Sequence, residues 1–260
     1  MVSESPFGAD AVAELYARGR PDHHAKTIQR VAALLPHAPV ERALDIACGT
    51  GMSTAALRAI ARTVIGIDLV PAMVDVAVRS GGDVYAVAEA ERLPFTSHTF
   101  DLVNVASAVH WFDQGAFVSE ALRVLDRDGV IALTEHFFLG EMEDGESFTS
   151  WMRDGYALRY PTPPRGRHLT VTDEVPSGLR LMGKDGWLDE IEMSHEQLVD
   201  YLLTQSNTIT AVEAGRENRG EVRRWLATET HQFFEGDGTR VMRFWGSAAC
   251  YRRDDPTPWH

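Results

Sequence analysis

The sequence predicts an α/β fold, in which a mostly parallel sheet of seven strands carries helices on both faces. Strand-like and helical segments alternate between residues 42 and 134, and each strand-like segment is almost entirely apolar. A strand that is apolar along both faces is buried on both, which is typical of a parallel sheet covered by helices. The 260 residues are enough for one such domain with an appended cap.

Five strands are predicted in the first half of the chain, each from a short apolar or β-branched run. The first run leads into a glycine pair, and the second ends in an acidic residue. A proline marks the first turn of the helix after the second strand. The predicted strands are 43–47, 63–68, 84–87, 101–106 and 130–134, and the predicted helices between them are 53–61, 71–79 and 114–125.

Helices are also predicted before the first strand, and two strands after the fifth. Residues 9–17 and a run capped by Asp22 have apolar residues at helical spacing, and prolines end the second run. Strands at 190–195 and 241–251, with helices at 196–203 and 221–234, would complete the sheet. The aromatic and proline-rich segment between shows no clear alternation, which favours a lid over a structureless loop.

These segments predict one domain over residues 1–260. We expect an N-terminal helical cap at 1–38, a core at 39–136, a lid insertion after the fifth strand at 137–186, and C-terminal completion of the sheet at 187–260.

Composition and charge argue against several classes of protein. The 25 basic and 38 acidic residues give a net charge of −13, which disfavours nucleic acid as a partner. The N-terminus lacks the pattern of a signal peptide, and charged residues interrupt every apolar run. We therefore expect a cytoplasmic protein without membrane association; its oligomeric state stays open. Two cysteines make no disulfide framework, and His23, His24 and His136 lack companions at ligand spacing, so no metal is predicted.

A glycine pair follows the first predicted strand and points to an adenosine-containing ligand. Residues 44–51 read Leu-Asp-Ile-Ala-Cys-Gly-Thr-Gly, and Asp68 ends the next predicted strand. Glycines at a strand-to-helix turn let the backbone approach a ligand that a Cβ would exclude. An acid about 20 residues further on is placed to accept the two ribose hydroxyls.

Two residues favour a cationic nucleoside over a dinucleotide. Thr54 stands where the dinucleotide fingerprint has its third glycine. Asp45 is predicted at the mouth of the turn, where its negative charge would repel a pyrophosphate. A ligand with an ammonium group and no phosphate suits this turn, and S-adenosylmethionine is such a ligand.

Several ordered motifs resemble those of class I S-adenosylmethionine-dependent methyltransferases. Residues 44–51 resemble motif I and residues 66–73 the post-I motif, although Ala47 replaces the usual first glycine. Residues 88–103 look like the adenine-site motif and the next strand of the small-molecule subgroup. Residues 108–113 resemble a signature of the methyltransferase type 11 branch that includes trans-aconitate methyltransferases. The resemblance covers about residues 16–133 and implies a Rossmann-like fold, with S-adenosyl-L-homocysteine as the product.

The same resemblance implies which residues would bind the cofactor. The turn after the first strand would line the methionine half, and the acid after the second would hold the ribose. Residues after the second and third strands would surround the adenine, with Glu91 as a neighbouring alternative to Glu89. The fourth strand would approach the sulfonium, and an N-terminal segment would fold over the cofactor. The methionine half would contact Asp45, Ala47, Cys48, Gly49 and Gly51, and the ribose would contact Asp68. The adenine would contact Leu69, Met73, Glu89 and Ala90. The sulfonium would contact Ala106 and Ser107, and Tyr16 and Arg20 would fold over the cofactor.

The methyl acceptor would lie at the carboxyl edge of the sheet, where open α/β sheets place their ligands. His110 follows the fourth strand, and its imidazole is a candidate general base; the alternative is a structural histidine that shapes the pocket. Trp111 is a candidate pocket wall. Arg159, Arg165 and Arg167 in the predicted lid are candidates to clamp an anionic substrate, or belong to a solvated loop.

The sequence therefore predicts an enzyme that moves a methyl group from S-adenosylmethionine to an oxygen, nitrogen or carbon atom of a small molecule, such as a natural product or a carboxylate metabolite. Two other hypotheses stay open at this stage. One is a nicotinamide-dependent oxidoreductase, and the other is an inactive, methyltransferase-like binding protein.

Overall fold

The computed structural model describes residues 10–163, 177–234, 236 and 238–254. Its strands form one sheet of seven, which confirms the predicted fold class. Counted by chain number, the order across the sheet is 3-2-1-4-5-7-6. The first strand pairs in parallel with the second and fourth, as do the second with the third and the fourth with the fifth. The strands are β1 (Val40–Ile46), β2 (Ala61–Asp68), β3 (Val84–Val87), β4 (Phe100–Ala106), β5 (Leu125–Met142), β6 (Leu179–Ser194) and β7 (Thr239–Arg253).

Helices connect these strands, and most of them were predicted to within a few residues. Exceptions are the helix after β1, which ends at Leu57 because Ala61 begins β2, and three helices that were not predicted, at Glu146–Trp151, Ala157–Arg159 and Ser206–Glu213. Among the described residues, no helix has both the length and the apolar character needed to cross a membrane. The helices are α1 (Asp10–Gly19), α2 (His24–Leu34), α3 (Met52–Leu57), α4 (Pro71–Ser80), α5 (Gln114–Val124), α6 (Glu146–Trp151), α7 (Ala157–Arg159), α8 (His195–Leu203), α9 (Ser206–Glu213) and α10 (Arg219–Thr230).

Strands β5 and β6 are much longer than predicted. β5 continues to Met142 and β6 begins at Leu179, so strand residues occupy both ends of the predicted lid range 137–186. β6 is the last strand of the sheet, and buried and exposed residues are interspersed along it. Charged side chains on the exposed positions of such an edge strand hide it from a search for apolar runs.

The chain divides into two compact units. Among the described residues, the core unit comprises 22–136, 177–187 and 246–254, and the aromatic unit comprises 10–21, 137–163 and the described part of 188–245. In the core unit, one face of the sheet packs Leu44 and Ile46 with residues of α5. The other face packs Ala43 with residues of α2 and α3, so helices cover both faces as predicted. The aromatic unit has its own core of Phe, Tyr, Trp and Leu side chains.

Gly66 of β2 offers a test of this packing. A Cβ at this position would lie 2.7 Å from Cδ1 of Tyr85 and 2.8 Å from Oγ1 of Thr54, too close for either contact. We expect Gly66→Ala to lower the free energy of unfolding by about 1–3 kcal/mol through overpacking. Shortening Tyr85 to alanine removes one of the two clashes. In urea denaturation, the double variant should therefore lose less free energy of unfolding than the two single variants lose together. Strict additivity of the two losses would contradict this packing.

Candidate functional site

The turn after β1 is built from left-handed backbone conformations. Ala47, Gly49 and Gly51 have φ angles of 54°, 55° and 87°. Only glycine adopts this region without a steric penalty, so Ala47 carries a modest strain of about 1–2 kcal/mol. Gly49 faces open space, because a Cβ built on it would meet no atom within 4 Å. The backbone of the turn is therefore accessible to a ligand at Gly49.

Gly51 has a different role from Gly49, although the sequence treats the two as a pair. A Cβ on Gly51 would lie 2.6 Å from the hydroxyl oxygen of Tyr85 and 3.1 Å from Cβ of Ala77. Gly51 is thus required by close packing of the turn against β3 and α4. Contact of Gly51 with a ligand stays a prediction.

Asp45 lies beneath the turn rather than at its mouth, where the sequence placed it. The side chain is fully buried, with 0% exposure. Its carboxylate accepts hydrogen bonds from Ser53 Oγ at 2.6 Å, Thr54 Oγ1 at 2.7 Å and Asn104 Nδ2 at 2.7 Å. Burial raises the pKa of Asp45, and these three hydrogen bonds oppose that rise. Asp45 therefore ties β1 to α3 and β4 beneath the turn.

Thr54 explains why the third glycine of a dinucleotide fingerprint is missing. Its side chain is fully buried and its hydroxyl is committed to Asp45. Glycine at this position would remove one of the three donors to the buried carboxylate, which is costly. The buried Asp45 therefore explains why this position holds threonine and not the glycine of the fingerprint.

Asp68 joins the turn to the end of β2. Its Oδ2 accepts from the Gly49 amide at 2.8 Å and its Oδ1 from the Val70 amide at 2.9 Å. The residue is 8% exposed, and burial raises its pKa against the effect of the backbone donors. A carboxylate oxygen can accept two hydrogen bonds, so the Asp68 carboxylate keeps acceptor capacity beyond its backbone donors. Leu69 next to it is 46% exposed, whereas Met73 is buried in α4.

The loop after β3 distinguishes between two neighbouring glutamates. Glu91 accepts a hydrogen bond from the Asp113 amide at 2.8 Å and so holds the start of α5. Glu89 is exposed, and the Ala88 amide before it donates to the Asp68 carbonyl at 3.0 Å. Glu89 is therefore the one available to a ligand that lies against Asp68. Ala90, which follows it, is buried.

Cys48 packs inside the turn. Its amide donates to the Ile67 carbonyl at 2.9 Å, and burial raises the pKa of its thiol. A buried protonated thiol is a poor nucleophile, so the side chain serves packing.

The carboxyl end of β4 lies beside the middle of β5, which continues beyond it to Met142. Ala106 pairs with Thr134, and Ser107, with a φ of 53°, donates its amide to the Thr134 carbonyl at 2.8 Å. His110 is half-buried in a short 3₁₀ turn at Val109–Trp111, with its ring 5.0 Å from that of Trp111. The Trp111 side chain is 44% exposed. His110 and Trp111, which were predicted to face the methyl acceptor, thus follow the carboxyl end of β4.

Three predicted residues belong to the aromatic unit and have partners there. The Arg20 guanidinium lies 4.7 Å from the Tyr16 ring centre and donates to the Thr204 carbonyl at 2.9 Å. Arg159 forms an ion pair with Glu217 at 2.9 Å and lies over the Trp225 ring. Contact of these residues with a cofactor or substrate stays a prediction. The other two predicted lid residues, Arg165 and Arg167, lie outside the described residues.

A histidine cluster at the edge of the core unit was not predicted. The rings of His23 and His136 are stacked, with centroids 3.7 Å apart and an interplanar angle of 8°, and the His24 ring lies 4.2 Å from that of His23. Across the part of the chain that the structure describes, no group of three or more potential ligands is arranged to hold a metal ion. More than a hundred residues separate His24 from His136 in the sequence, and only the adjacent pair His23–His24 was a visible signal.

Comparisons with known proteins identify similar methyltransferases. Residues 44–133 match the family model described as a methyltransferase domain. An uncharacterized methyltransferase of Mycobacterium tuberculosis is 35% identical over 119 residues, which are 45% of this chain and 47% of that protein. A malonyl-[acyl-carrier protein] O-methyltransferase of Enterobacter lignolyticus is 36% identical over 138 residues, 50% of this chain and 55% of that protein. The chain spans about half the length of the curated relatives it matches.

Solved structures share the fold. A protein from Anaeromyxobacter dehalogenans, provisionally named a type II methyltransferase, matches with a TM-score of 0.70 and 21% identity, over 90% of this chain and 97% of that one. Phosphoethanolamine N-methyltransferase 2 of Haemonchus contortus, solved with S-adenosylhomocysteine, matches with a TM-score of 0.50 and 14% identity, over 95% of this chain and 58% of that one. At such identities the likeness concerns the fold alone.

Proposed function

The chain contains a domain of the class I S-adenosylmethionine-dependent methyltransferase family, and on that premise we propose that the protein methylates a small molecule. The single observation that carries the proposal is the arrangement of Gly49 and Asp68. An open backbone turn and a carboxylate with remaining acceptor capacity adjoin each other, joined by the Gly49 amide.

The residues around this turn fit the cofactor. Asp68 would accept the ribose hydroxyls, Glu89 the adenine amine, and Leu69 would cover one face of the adenine with its exposed side chain. Gly49 would leave room for the methionine portion. Ala106 and Ser107 would face the reacting end, because β4 ends beside β1. When ionised, the Asp45 carboxylate contributes a negative potential beneath the turn, which favours a cationic ligand over a pyrophosphate.

When bound, S-adenosylmethionine supplies an electrophilic methyl group whose leaving group is a neutral thioether. The protein therefore needs little acid catalysis. Its main task is to hold the acceptor atom in line with the methyl group at near-contact distance and to exclude water, which together can lower the barrier by several kcal/mol.

A small molecule is the acceptor class that charge favours. A chain with a net charge of −13 would repel nucleic acid. Relatives named for malonyl-[acyl-carrier protein] O-methylation and for demethylmenaquinone methylation suggest that this domain type serves different acceptors. Oxygen, nitrogen and carbon acceptors are therefore all within the proposal.

The function is tested by ligand binding and by methyl transfer. We expect titration calorimetry to show binding of S-adenosylhomocysteine and no binding of NADH. Incubation with methyl-labelled S-adenosylmethionine and a small-molecule extract of the source organism should yield a labelled product, whose mass would reveal the acceptor class. Binding of NADH without S-adenosylhomocysteine would support an oxidoreductase instead. Binding of S-adenosylhomocysteine without any labelled product would support an inactive binding protein.

A further inference from the structure

Two residues beside the proposed reacting end have left-handed backbone conformations, although neither is glycine. Ala47 follows β1 and Ser107 follows β4, with φ angles of 54° and 53°. Their strands are neighbours in the sheet, because Ile46 pairs with Val105. Alanine and serine adopt this conformation only at a cost, and such strain concentrates at functional sites. Strain on both sides of the reacting end therefore points to a function for at least one of the two residues.

Strand β5 holds Ser107 in its strained conformation. The Ser107 amide donates to the Thr134 carbonyl at 2.8 Å, and its Oγ accepts from the His136 amide at 3.1 Å. These two bonds to one strand fix both the backbone and the side-chain oxygen of Ser107. A strained residue persists where its surroundings determine its conformation in this way.

The hydroxyl of Ser107 keeps its proton for another partner. A hydroxyl can donate one hydrogen bond and accept two, and Ser107 Oγ is the acceptor in its bond with the His136 amide. Across the described residues, no acceptor is found for the Ser107 proton. The residue is half-buried, so a ligand can reach it. Ser107 is therefore a fixed hydrogen-bond donor beside the proposed reacting end.

A fixed donor at this place restricts which methyl acceptors can react. A hydrogen bond from Ser107 to the attacking atom of an amine or an alcohol would occupy the lone pair that must reach the methyl group. A carboxylate or an enolate shares its negative charge between two atoms. One oxygen can then accept from Ser107 while the other end attacks. Such an oxyanion also needs no base at the moment of reaction, because it has already lost its proton.

We propose that the Ser107 hydroxyl selects and holds a delocalised oxyanion, a carboxylate or an enolate, as the methyl acceptor. This inference rests on the proposed methyl transfer. The free end of the oxyanion, which is oxygen in a carboxylate and carbon in an enolate, forms a bond to the methyl carbon. The carbon–sulfur bond breaks at the same time, and its electron pair stays on sulfur. The negative charge of the acceptor and the positive charge of the sulfonium cancel, so no proton moves.

This charge balance predicts which kinetic constant depends on Ser107. The negative charge of the acceptor disappears during the reaction, so its hydrogen bond with Ser107 is stronger before the transition state than in it. Removal of the hydroxyl should therefore raise KM and leave kcat unchanged or slightly higher. A residue that only maintained the fold would lower kcat and cofactor binding as well.

Two substitutions separate the hydroxyl of Ser107 from its backbone strain. Ser107→Ala removes the hydroxyl and keeps the strained Cβ, whereas Ser107→Gly removes both. Asp144→Gly is the control, because Asp144 has a similar φ of 52° in the turn after β5. Each protein is assayed with methyl-labelled S-adenosylmethionine and a panel of carboxylates, enolisable diketones, phenols and amines. Titration calorimetry gives S-adenosylhomocysteine binding, and urea denaturation gives the free energy of unfolding.

We expect labelled methyl groups on carboxylates or on diketones, and the labelled product distinguishes the two. Both Ser107 variants should raise KM for that acceptor about tenfold to a hundredfold, as the loss of a hydrogen bond to an ionised group does, and should keep kcat. Ser107→Gly should be more stable than Ser107→Ala, because glycine relieves the strain. Asp144→Gly should have wild-type kinetics. S-adenosylhomocysteine binding should be unchanged in all three variants.

A binding measurement tests the same contact without turnover. The panel acceptor with the lowest KM is titrated into protein saturated with S-adenosylhomocysteine, and Ser107→Ala should bind it about tenfold or more weakly than the wild type does. Wild-type KM in both Ser107 variants, methylation of phenols or amines alone, or an equal loss of S-adenosylhomocysteine binding would overturn the inference. If the wild type binds no S-adenosylhomocysteine or yields no labelled product, the proposed function fails instead.

Discussion

Asp68→Ala is expected to weaken S-adenosylhomocysteine binding at least about a hundredfold. Two hydrogen bonds to an ionised carboxylate contribute about 1.5 kcal/mol or more each, and each 1.4 kcal/mol is about tenfold in affinity. The variant also loses the acceptor of the Gly49 and Val70 amides, which hold the turn against β2. Titration calorimetry at constant salt gives the affinity directly.

Two comparisons show whether this effect is specific. Asp75→Ala removes an exposed acid from α4, the helix that follows Asp68, and should leave binding unchanged. Asp68→Asn keeps the shape but loses the charge and one acceptor oxygen, so its affinity should fall between those of the wild type and Asp68→Ala. Equal losses in Asp68→Ala and Asp75→Ala would show that general electrostatics, and not hydrogen bonding to Asp68, governs binding.

The pKa of Asp68 adds a pH signature to this experiment. Burial raises that pKa above the ordinary value of 3.8, so protonation begins at a higher pH than in a free aspartate. Ligand binding by the ionised carboxylate should therefore weaken as the pH falls through that raised value. The folded protein binds this proton more tightly than the unfolded chain does. Protonation of Asp68 should therefore raise the free energy of unfolding as the pH falls, whereas it weakens ligand binding.

Asp45→Leu is expected to lower the free energy of unfolding by about 3 kcal/mol or more. The change leaves the donors of Ser53, Thr54 and Asn104 buried without their acceptor, and each such loss costs about 1–3 kcal/mol. Denaturant unfolding followed by circular dichroism measures the change.

Asp45→Asn is the matched control and should cost under about 1.5 kcal/mol. The new amide oxygen can accept from Ser53 and Thr54. Among the described residues, Asn104 Oδ1 is buried without a hydrogen-bond partner, so the new amide group can donate to it once the Asn104 side chain turns. Asp45→Asn as damaging as Asp45→Leu would mean that the buried charge itself, rather than the hydrogen-bond set, stabilises the turn.

Local pattern was enough to predict the sheet and the position of Asp68. Apolar runs and the glycine pair are properties of neighbouring residues, and the spacing from the turn to the acid follows from one strand–helix–strand unit. The burial of Asp45 was not accessible in this way, because it depends on Asn104, which lies 59 positions along the chain. The different roles of Gly49 and Gly51 likewise depend on Tyr85, a residue of another strand.

The histidine stack and the edge strand were missed for related reasons. His23 and His136 meet because α2, which begins directly after His23, packs on the face of the sheet that β5 shares, and no local spacing encodes that contact. β6 was recognised only in part because charged residues interrupt its sequence. The sequence could not show which of Glu89 and Glu91 is the candidate for ligand binding. The structure distinguishes them, because Glu91 accepts a hydrogen bond from the Asp113 amide.

A crystal structure with S-adenosylhomocysteine tests the central claim most directly. The ribose hydroxyls should lie within hydrogen-bond distance of the Asp68 carboxylate, with the homocysteine portion against the Gly49 backbone. Asp68 bonded only to the Gly49 and Val70 amides, with the ligand absent from the crevice or bound elsewhere, would contradict the account.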